Sequence, residues 1–356
     1  MIYYPSLTRV MPLTTIRRER LLPAAGEVLV NIGARVEPMS VVARAEVPGR
    51  YYILNVAQAL RVPPNLAKKY IQVKGGREIK AGQVVAKRRV GLGLTSRVVR
   101  APQNGIVAAV GGGRVLLESV SEPIEVHAYL PGKISNVMPK MGVLVETIGA
   151  LIQGVWGVGG ESFGVLKVLT KRPDRPLRAR RIDVTCHGAV LVGGSTLDQA
   201  AFQQALELQV RGIIVGSLDT SLIEMAQEMP FPVILTEGLG RAPMATPIFQ
   251  LLHTNDSREI AISGRTRARW GAVRPEIVIP LPANVASPPP PPGAPLNVGD
   301  QVRVMRGHAM GAVGTVQSLP THSMPLETGA RVRGAVVAFE DDEDQFIPLF
   351  NLELLS

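Results

Sequence analysis

Three groups of polar residues each follow an apolar run that the sequence predicts as a buried strand, over residues 188–194, 212–216 and 231–237. Ligands bind beyond the carboxyl ends of parallel strands, and the N-termini of the helices that follow attract anions. These positions therefore predict a small-ligand site. Short strand-to-helix connections need the same residue types, so an ordinary connection is the alternative. The predicted ligand-binding residues are Ser195, Thr196, Ser217, Thr236 and Glu237.

Other residues of catalytic type do not assemble into a catalytic group. Cys186 and His187 are neighbours, so in a strand they point to opposite faces, whereas a thiolate–imidazole pair must converge. Glu237 follows a strand where a general base would stand, but no partner can be named. With one cysteine and five histidines, the sequence predicts no metal site, and we expect no cofactor. We identify no catalytic residues, and an enzyme is the less favoured interpretation.

Glycines are dense between residues 149 and 164, where six of sixteen residues are glycine. The phosphate-binding patterns G-x-x-x-x-G-K-[ST] and G-x-G-x-x-G are absent from this segment. We therefore expect tight turns and close packing around Trp156 and Phe163, with a ligand loop as the alternative.

The elements that position the polar groups alternate between strand and helix. After the first strand, apolar residues at helical spacing predict a helix over 196–210, and further helices are expected over 221–229 and 244–253. A strand over 259–263 would close the segment. This alternation predicts a small parallel sheet with helices packed on it.

Positive charge is concentrated towards the N-terminus. Residues 1–120 carry +13 and residues 121–181 carry +4, whereas 182–295 carry −3 and 296–356 carry −4. A basic surface attracts polyanions, and we expect RNA or DNA, with solubility of a Gly-rich β domain as the alternative. The predicted nucleic-acid-binding residues are Lys68, Lys69, Lys74, Lys87, Arg88, Arg89, Arg97, Arg100, Arg178, Arg180 and Arg181.

An internal repeat lies within the basic region. Residues 33–43 and 76–86 share the pattern G-x-x-[VI]-x-x-[GM]-x-V-V-A, which predicts a strand, a turn and a second strand. Residues 53–60 between the copies predict a short helix that ends before Pro63 and Pro64.

This pattern, with the later A-P-x-x-G-I-V at residues 101–107, resembles the barrel-sandwich hybrid of biotinyl and lipoyl carrier domains over residues 22–118. Carriers of that kind need a lysine at an exposed hairpin. The nearest match is Met138-Pro139-Lys140-Met141, in which proline interrupts the usual triplet, outside the repeated segments.

The C-terminal region contains G-D-x-V-R-V-x-x-G followed by G-x-x-G-x-V, at residues 299–316. This resembles the KOW motif of SH3-like barrels, which implies a module that contacts RNA, ribosomes or RNA polymerase. An acidic run at residues 340–344 repels phosphates, so we expect a protein partner at this barrel. The residues of the KOW turn are Arg303, Arg306, Gly307, His308, Gly311 and Gly314, whose cations suit a local anion contact.

Composition supports a globular, mainly β chain. Hydrophobic residues make up 46% of the 356 residues and aromatics 4%, with 36 Gly and 29 Pro, which favours short strands and turns. We find no signal-peptide pattern and no apolar run of membrane-spanning length, so a cytoplasmic location is expected. A run of five prolines within 288–292 marks a domain boundary.

The predicted fold is multi-domain and mainly β with one α/β domain: a barrel-sandwich hybrid, a small parallel sheet and an SH3-like barrel. We expect a non-catalytic adaptor that binds a polyanion through its N-terminal region and a protein through its C-terminal barrel. The alternatives are an enzyme or ligand sensor using residues 188–263, a carrier modified at Lys140, and a structural component of a larger assembly. The predicted segments are 1–120 basic β domain, 121–170 Gly-rich extension, 171–181 Arg-rich linker, 182–270 α/β domain, 271–295 Pro-rich linker and 296–356 barrel.

Overall fold

The computed structural model describes residues 6–46, 49–90, 95–119, 123–267, 273–283, 286, 295–305, 309–326, 330–339 and 344–355. The described residues are mainly β, with 47% in strands and 15% in helices, which confirms the expected mainly β class. In the part that the structure describes, none of the helices has the length and apolar character needed to cross a membrane. The proline run at 288–292, the acidic residues 340–343 and the KOW-turn residues Arg306, Gly307 and His308 lie outside the described residues.

The strands are β1 (Ser6–Thr8), β2 (Val10–Leu21), β3 (Glu27–Val28), β4 (Arg35–Val36), β5 (Val41–Ala45), β6 (Tyr51–Leu54), β7 (Glu78–Ile79), β8 (Val84–Val90), β9 (Thr95–Arg100), β10 (Gly105–Gly111), β11 (Arg114–Ser119), β12 (Ile124–His127), β13 (Gly132–Met138), β14 (Gly142–Gln153), β15 (Trp156–Val158), β16 (Glu161–Val168), β17 (Ala189–Val192), β18 (Gly212–Leu218), β19 (Val233–Leu239), β20 (Glu259–Ser263), β21 (Glu276–Pro280), β22 (Gln301–Val304), β23 (Val313–Ser318), β24 (Met324–Pro325), β25 (Arg331–Val332), β26 (Gly334–Phe339), β27 (Gln345–Pro348) and β28 (Leu352–Leu355). The helices are α1 (Val56–Leu60), α2 (Pro64–Ala67), α3 (Gln199–Glu207), α4 (Ile223–Glu228) and α5 (Thr246–Thr254).

A central sheet runs in the order β15-β19-β18-β17-β16-β20-β21-β14-β13-β4, with β2 paired to β14. Strands β16 to β19 are parallel neighbours. Strand β17 is buried on both faces, because Leu191 packs with α3 and α4, whereas Val190 and Val192 pack with α5. A parallel strand covered on both sides needs an uninterrupted apolar run, which is what the sequence provides there.

Two segments expected to be linkers contribute to packed structure. Within 271–295, β21 pairs with both β20 and β14 in the middle of the central sheet. Within 171–181, Leu177 is fully buried and forms a β-bridge with Leu197. The apolar side chains of β21 and Leu177 are buried. Their burial stabilises the paired backbone, although prolines nearby cannot donate to a strand.

The C-terminal sheet runs in the order β1-β28-β22-β23-β26-β27. Its first strand comes from the other end of the chain, because β1 pairs in parallel with β28. Residues 6–8 lie within the segment 1–120 that was predicted as the N-terminal domain, and the sequence did not predict this pairing.

The internal repeat corresponds to two structurally equivalent turns. Gly33 and Gly76 both have positive φ, +87° and +82°, which glycine adopts without strain. The amide of Gly33 donates to Ile134 O at 2.8 Å, and the amide of Gly76 donates to Val107 O at 2.8 Å. The second valine and the alanine of each V-V-A triplet are fully buried, in β5 and in β8.

The duplication extends well beyond the repeated sequence. Ala128 N donates to Ser40 O, and Ala101 N donates to Gln83 O, both at 2.9 Å. Ser40 and Gln83 occupy the same place in the two copies of the repeat, and the two alanines each stand six residues before the acceptor of the turn glycine. The first strands correspond as well, because β2 pairs with β14 as β6 pairs with β11. We call residues 17–46 with 123–146 the outer unit, and residues 49–119 the inserted unit.

The inserted unit interrupts the outer unit between two paired strands. The chain leaves the outer unit after β5 and returns at β12, and these strands pair with Ala45 opposite Ile124. At the inserted unit, Ser119 N donates to Arg50 O at 2.9 Å. Both ends of the insertion therefore lie side by side. Its own core contains α1 and residues of β7, β8, β10 and β11.

The helix predicted over 53–60 begins later, at Val56. Ile53 and Leu54 belong to strand β6, which pairs with β11. The side chain of Asn55 accepts a hydrogen bond from Gln58 N and so marks the N-terminus of α1.

Candidate polyanion interface

Most of the net charge of the chain belongs to the inserted unit. Residues 49–119 contain 13 Lys and Arg and two acidic residues, Glu78 and Glu118, a net charge of +11. The whole chain carries +10, so all other residues together carry −1. The positive region is therefore narrower than residues 1–120.

Four cations of the outer unit form ion pairs with carboxylates, whereas among the described residues the cations of the inserted unit form none. In the outer unit, ion pairs join Arg17 to Glu146 at 2.6 Å and Arg44 to Glu125 at 2.6 Å. Two further arginines of β2 reach the central sheet: Arg18 pairs with Glu276, and Arg20 pairs with Glu161 at 2.7 Å. Among the described residues, no ion pair involves a side chain from 49–119.

The hairpin of β8 and β9 places arginines opposite each other. Arg88 lies opposite Arg97 in the antiparallel register. The Arg88 guanidinium donates to Leu60 O at 2.9 Å and Arg61 O at 2.8 Å, the last carbonyls around α1, and it lies 5.9 Å from the centre of the Tyr70 ring. A cation at a helix C-terminus satisfies unpaired carbonyls and is favoured by the helix dipole.

The remaining predicted cations of this unit lie around that hairpin. Lys87 and Arg89 are exposed on the hairpin face that does not carry Arg88. Exposed Lys68 and Lys69 form the 3-10 turn before Tyr70, Lys74 is exposed on the following loop, and Arg100 donates to Gly82 O at 2.8 Å. Our residue predictions missed five exposed cations of the same unit, although they were present in its charge count: Arg50, Arg61, Arg77, Lys80 and Arg114.

Arg178, Arg180 and Arg181 lie on another part of the molecule. Arg178 pairs with Asp198 at 2.7 Å, and Arg181 donates to Leu169 O at 3.1 Å. Arg180 is exposed in the same 3-10 turn, which packs beside α3. The structure does not bring these three arginines together with the β8–β9 hairpin, because they belong to the central sheet and its helices.

The predicted ligand residues do lie at neighbouring strand ends, but internal hydrogen bonds use most of their polar atoms. Ser217 N donates to Ser195 O at 2.7 Å, and the Ser217 hydroxyl donates to Ala242 O at 2.9 Å. Half-buried Thr196 makes a long hydrogen bond, 3.4 Å, to Leu197 O. The buried hydroxyl of Thr236 has no hydrogen-bond partner among the described residues.

Glu237 and Arg303, expected at two separate sites, bind each other. Arg303 is 1% exposed, and its guanidinium donates to Glu237 Oε2 at 2.6 Å and to Thr236 O at 3.0 Å. It also pairs with Glu353 of β28. Arg303 therefore forms internal ion pairs and is not exposed for an anion contact at the KOW turn.

The two carboxylates that share Arg303 have pKa values shifted in opposite directions. Burial raises the pKa of Glu237, although Arg303 and the amide of Ala245 oppose that shift. Burial alone would also raise the pKa of Glu353, but Arg303, the Thr8 hydroxyl at 2.5 Å and Arg274 at 3.1 Å together lower it. The cluster joins the central sheet, β28 and β1 at one buried point.

A cleft of about 640 Å³ lies between the C-terminal sheet and the start of α5. Gly311 and Gly314 of the KOW turn line it, opposite Thr246 and Gln250 of α5, with Arg172 at one side. The predicted ligand residues do not line the cleft. Glu237 instead holds the amide of Ala245, just before α5, at 3.0 Å.

A second buried polar cluster lies where the outer unit meets the central sheet. Tyr129 is buried, its φ is +69°, and its hydroxyl has no hydrogen-bond partner among the described residues. Burial, followed by the nearby charge of Glu276, raises the pKa of Tyr129 well above its ordinary value of 10.0. Arg20 lies 5.4 Å from the centre of the Tyr129 ring.

The other residues of catalytic type are separated. Cys186 is fully buried, and His187 Nδ1 lies 3.1 Å from Leu208 O. Lys140 is exposed in the turn between β13 and β14, with φ +62°, and so belongs to the outer unit. Lys140 was predicted to lie outside the repeated segments. The described residues contain no cluster of three or more side chains able to hold a metal ion.

Comparison with known proteins gives no family for this chain. No family model matches it, and no curated protein matches it.

Proposed function

We propose that the inserted unit binds the phosphate backbone of a nucleic acid. The observation that carries the proposal is a net charge of +11 on residues 49–119 without an ion pair among the described residues. Lysines and arginines that are free of carboxylates release counterions from a polyanion when they bind it. In the equivalent outer unit, by contrast, four arginines each form an ion pair with a carboxylate.

The position of the unit supports the same proposal. The unit joins the outer unit through adjacent segments, and Glu161 and Glu276 of the central sheet pair with arginines of β2 and not with its cations. The end of α1 holds the Arg88 guanidinium in place. A preorganised charged surface loses less conformational entropy on binding.

We also propose the finer folds and the adaptor arrangement. In this proposal the two units are barrel-sandwich hybrids, residues 188–263 form an α/β domain, and residues 296–356 form a KOW-type barrel that contacts a protein. The repeated turns support the first assignment, and the motif at 299–316 supports the last. The charge of −4 on residues 296–356 favours a protein over a nucleic acid at that barrel.

Charge reversal within the inserted unit tests the proposal. We would measure binding of labelled RNA and DNA oligonucleotides by fluorescence anisotropy for the double variant Lys87→Glu and Arg89→Glu. The matched control is Arg35→Glu and Lys133→Glu, which changes the net charge equally at exposed positions of the outer unit. We expect the first pair to weaken binding by about tenfold or more at low salt, and the control to have a much smaller effect. Equal effects of the two pairs would contradict a site on the inserted unit.

The cleft favours a second candidate function, binding of a small polar ligand. Its volume of about 640 Å³ lies within the usual range for ligand sites, and side-chain amides of Gln250, Gln301 and Gln345 line it. A thermal-shift screen of nucleotides, sugar phosphates and metabolites tests this candidate. A rise of several degrees that is lost in Gln250→Ala would support it, and no rise with any compound would count against it.

A further inference from the structure

The outer face of one sheet in the inserted unit carries exposed apolar residues beside the unit's two acidic residues, Glu78 and Glu118. The sheet runs β6-β11-β10-β7. Tyr51 and Ile53 alternate along β6, so they share a face, and they are 58% and 64% exposed. Half-buried Leu116 lies opposite Ile53, and Ile106 of β10, 39% exposed, lies near them on the same face.

The duplication provides an internal control for this face. At the positions equivalent to Tyr51, Ile53 and Ile106, the outer unit has Arg17, Glu19 and Lys133. All of these residues are exposed in both units. The fold therefore accepts charged residues at these positions, and nothing in the packing of the sheet requires apolar ones. Exposed apolar residues that the fold does not require indicate a surface that a partner covers.

We propose that this face is a stacking platform for the unpaired bases of a single-stranded nucleic acid. The inference rests on the proposed function and specifies its substrate. Exposed bases stack on aromatic and apolar side chains, whereas the bases of a duplex are already stacked on each other. Tyr51 provides the aromatic ring, and Ile53 and Leu116 extend the apolar surface beside it.

Charges around the face fit the same occupant. Arg50 precedes Tyr51, and Arg114 lies on the strand and face of Leu116, where both can meet phosphates. Glu118 lies opposite Tyr51 and Glu78 lies opposite Ile106 on the same face, and carboxylates accept hydrogen bonds from the amino groups of bases. A second copy of the chain would bring two units of +11 together, and this repulsion disfavours pairing through the same face.

The test exchanges the two exposed residues for those of the outer unit, in the double variant Tyr51→Arg and Ile53→Glu. Binding of single-stranded RNA and DNA 12-mers, of the corresponding duplexes and of inorganic polyphosphate is measured by anisotropy and competition. We expect affinity for single strands to fall by about tenfold. Binding of duplex and polyphosphate should stay within about twofold, because the exchange leaves the net charge unchanged. The matched control is Leu29→Arg with Ile32→Glu, at two exposed apolar positions of the outer unit.

A conservative variant separates stacking from folding. Tyr51→Trp should keep the affinity for single strands, and its fluorescence, taken as the difference from the wild-type chain with its two tryptophans, should be quenched by the bound oligonucleotide. Wild-type affinity for single strands in the Tyr51→Arg, Ile53→Glu variant would overturn the inference and leave the proposed function standing. Self-association of the wild-type chain that this variant abolishes would also overturn it. Failure of the wild-type chain to bind single strands, duplex and polyphosphate would overturn the proposed function itself.

Discussion

Arg303 connects the C-terminal sheet to the central sheet through buried ion pairs. It is almost fully buried between Glu237 and Glu353, which come from the central sheet and from β28. A buried ion pair adds little when both partners are present, but removal of one partner leaves an uncompensated charge.

We therefore predict that Arg303→Met lowers the free energy of unfolding by about 3–5 kcal/mol, measured by urea denaturation. Arg331→Met, at an exposed arginine of β25, is the control and should change stability by less than about 0.5 kcal/mol. A small effect of Arg303→Met would show that the two carboxylates do not depend on this cation.

Tyr129 predicts a dependence of stability on alkaline pH. Its pKa is raised in the folded state, so the phenol ionises first in the unfolded chain as the pH passes about 10. The stability that the neutral phenol provides is constant below that pH and falls above it, by up to about 1.4 kcal/mol per pH unit.

Tyr129→Phe should remove this part of the alkaline slope and leave stability at pH 7 unchanged or slightly higher, because the hydroxyl has no hydrogen-bond partner among the described residues. The measurement is urea denaturation of both chains from pH 7 to 11. Identical slopes would contradict the buried position of the phenol.

At this scale the sequence could not predict which of the selected residues contact each other. Glu237 and Arg303 were predicted for two separate sites, and the structure joins them in a buried ion pair. Their contact joins positions 66 residues apart in segments expected to be separate domains. Local patterns contain no information about such a pairing, because it depends on how the two sheets dock.

At equivalent glycines of the two units, a neighbouring strand leaves no room for a side chain. An added Cβ at Gly105 would lie 2.3 Å from Glu118 O, and one at Gly132 would lie 2.3 Å from Glu146 O. Both contacts are with backbone atoms that cannot rotate away.

We predict that Gly105→Ala destabilises the inserted unit by about 1–3 kcal/mol, monitored by thermal unfolding. Gly111→Ala is the control, because an added Cβ there meets no atom within 4 Å. If both variants unfold at the same temperature, the close approach of β10 and β11 is not as described.

The insertion itself predicts that the unit can be removed. Replacement of residues 47–122 by an Asn-Gly turn should leave β5 and β12 paired, because Ala45 and Ile124 are already opposite each other. We expect this excised variant to unfold cooperatively, with the stability of the remaining chain changed by no more than about 2 kcal/mol. A collapsed or aggregated product would show that the outer unit needs the insertion to fold.

Much of the element order could be predicted from the sequence, including the repeated turns and the buried parallel strands. The turn glycines and the V-V-A triplets recur because both units impose the same backbone conformation and the same core. Most of the duplication left no such trace, since exposed positions such as those of Arg17 and Tyr51 are free to differ. The place of β1 and β21 in distant sheets also could not be predicted, because it depends on pairing over long sequence separations.

At the scale of the whole molecule, charge is separated between one inserted unit of +11 and a remainder of −1. The sequence predicted a cationic N-terminal third, but it could not show which cations are neutralised. The structure divides them: those of β2 meet carboxylates of the central sheet and the outer unit, and those of residues 49–119 do not.

Salt-dependent binding by the wild-type chain and the excised variant tests this account most directly. For the wild-type chain, we predict that the logarithm of the association constant for a single-stranded oligonucleotide falls linearly with the logarithm of salt concentration. A slope steeper than about −3 would correspond to five or more phosphate contacts. The folded excised variant should not bind measurably under the same conditions. A slope near zero for the wild-type chain, or equal binding by the excised variant, would contradict the central claim.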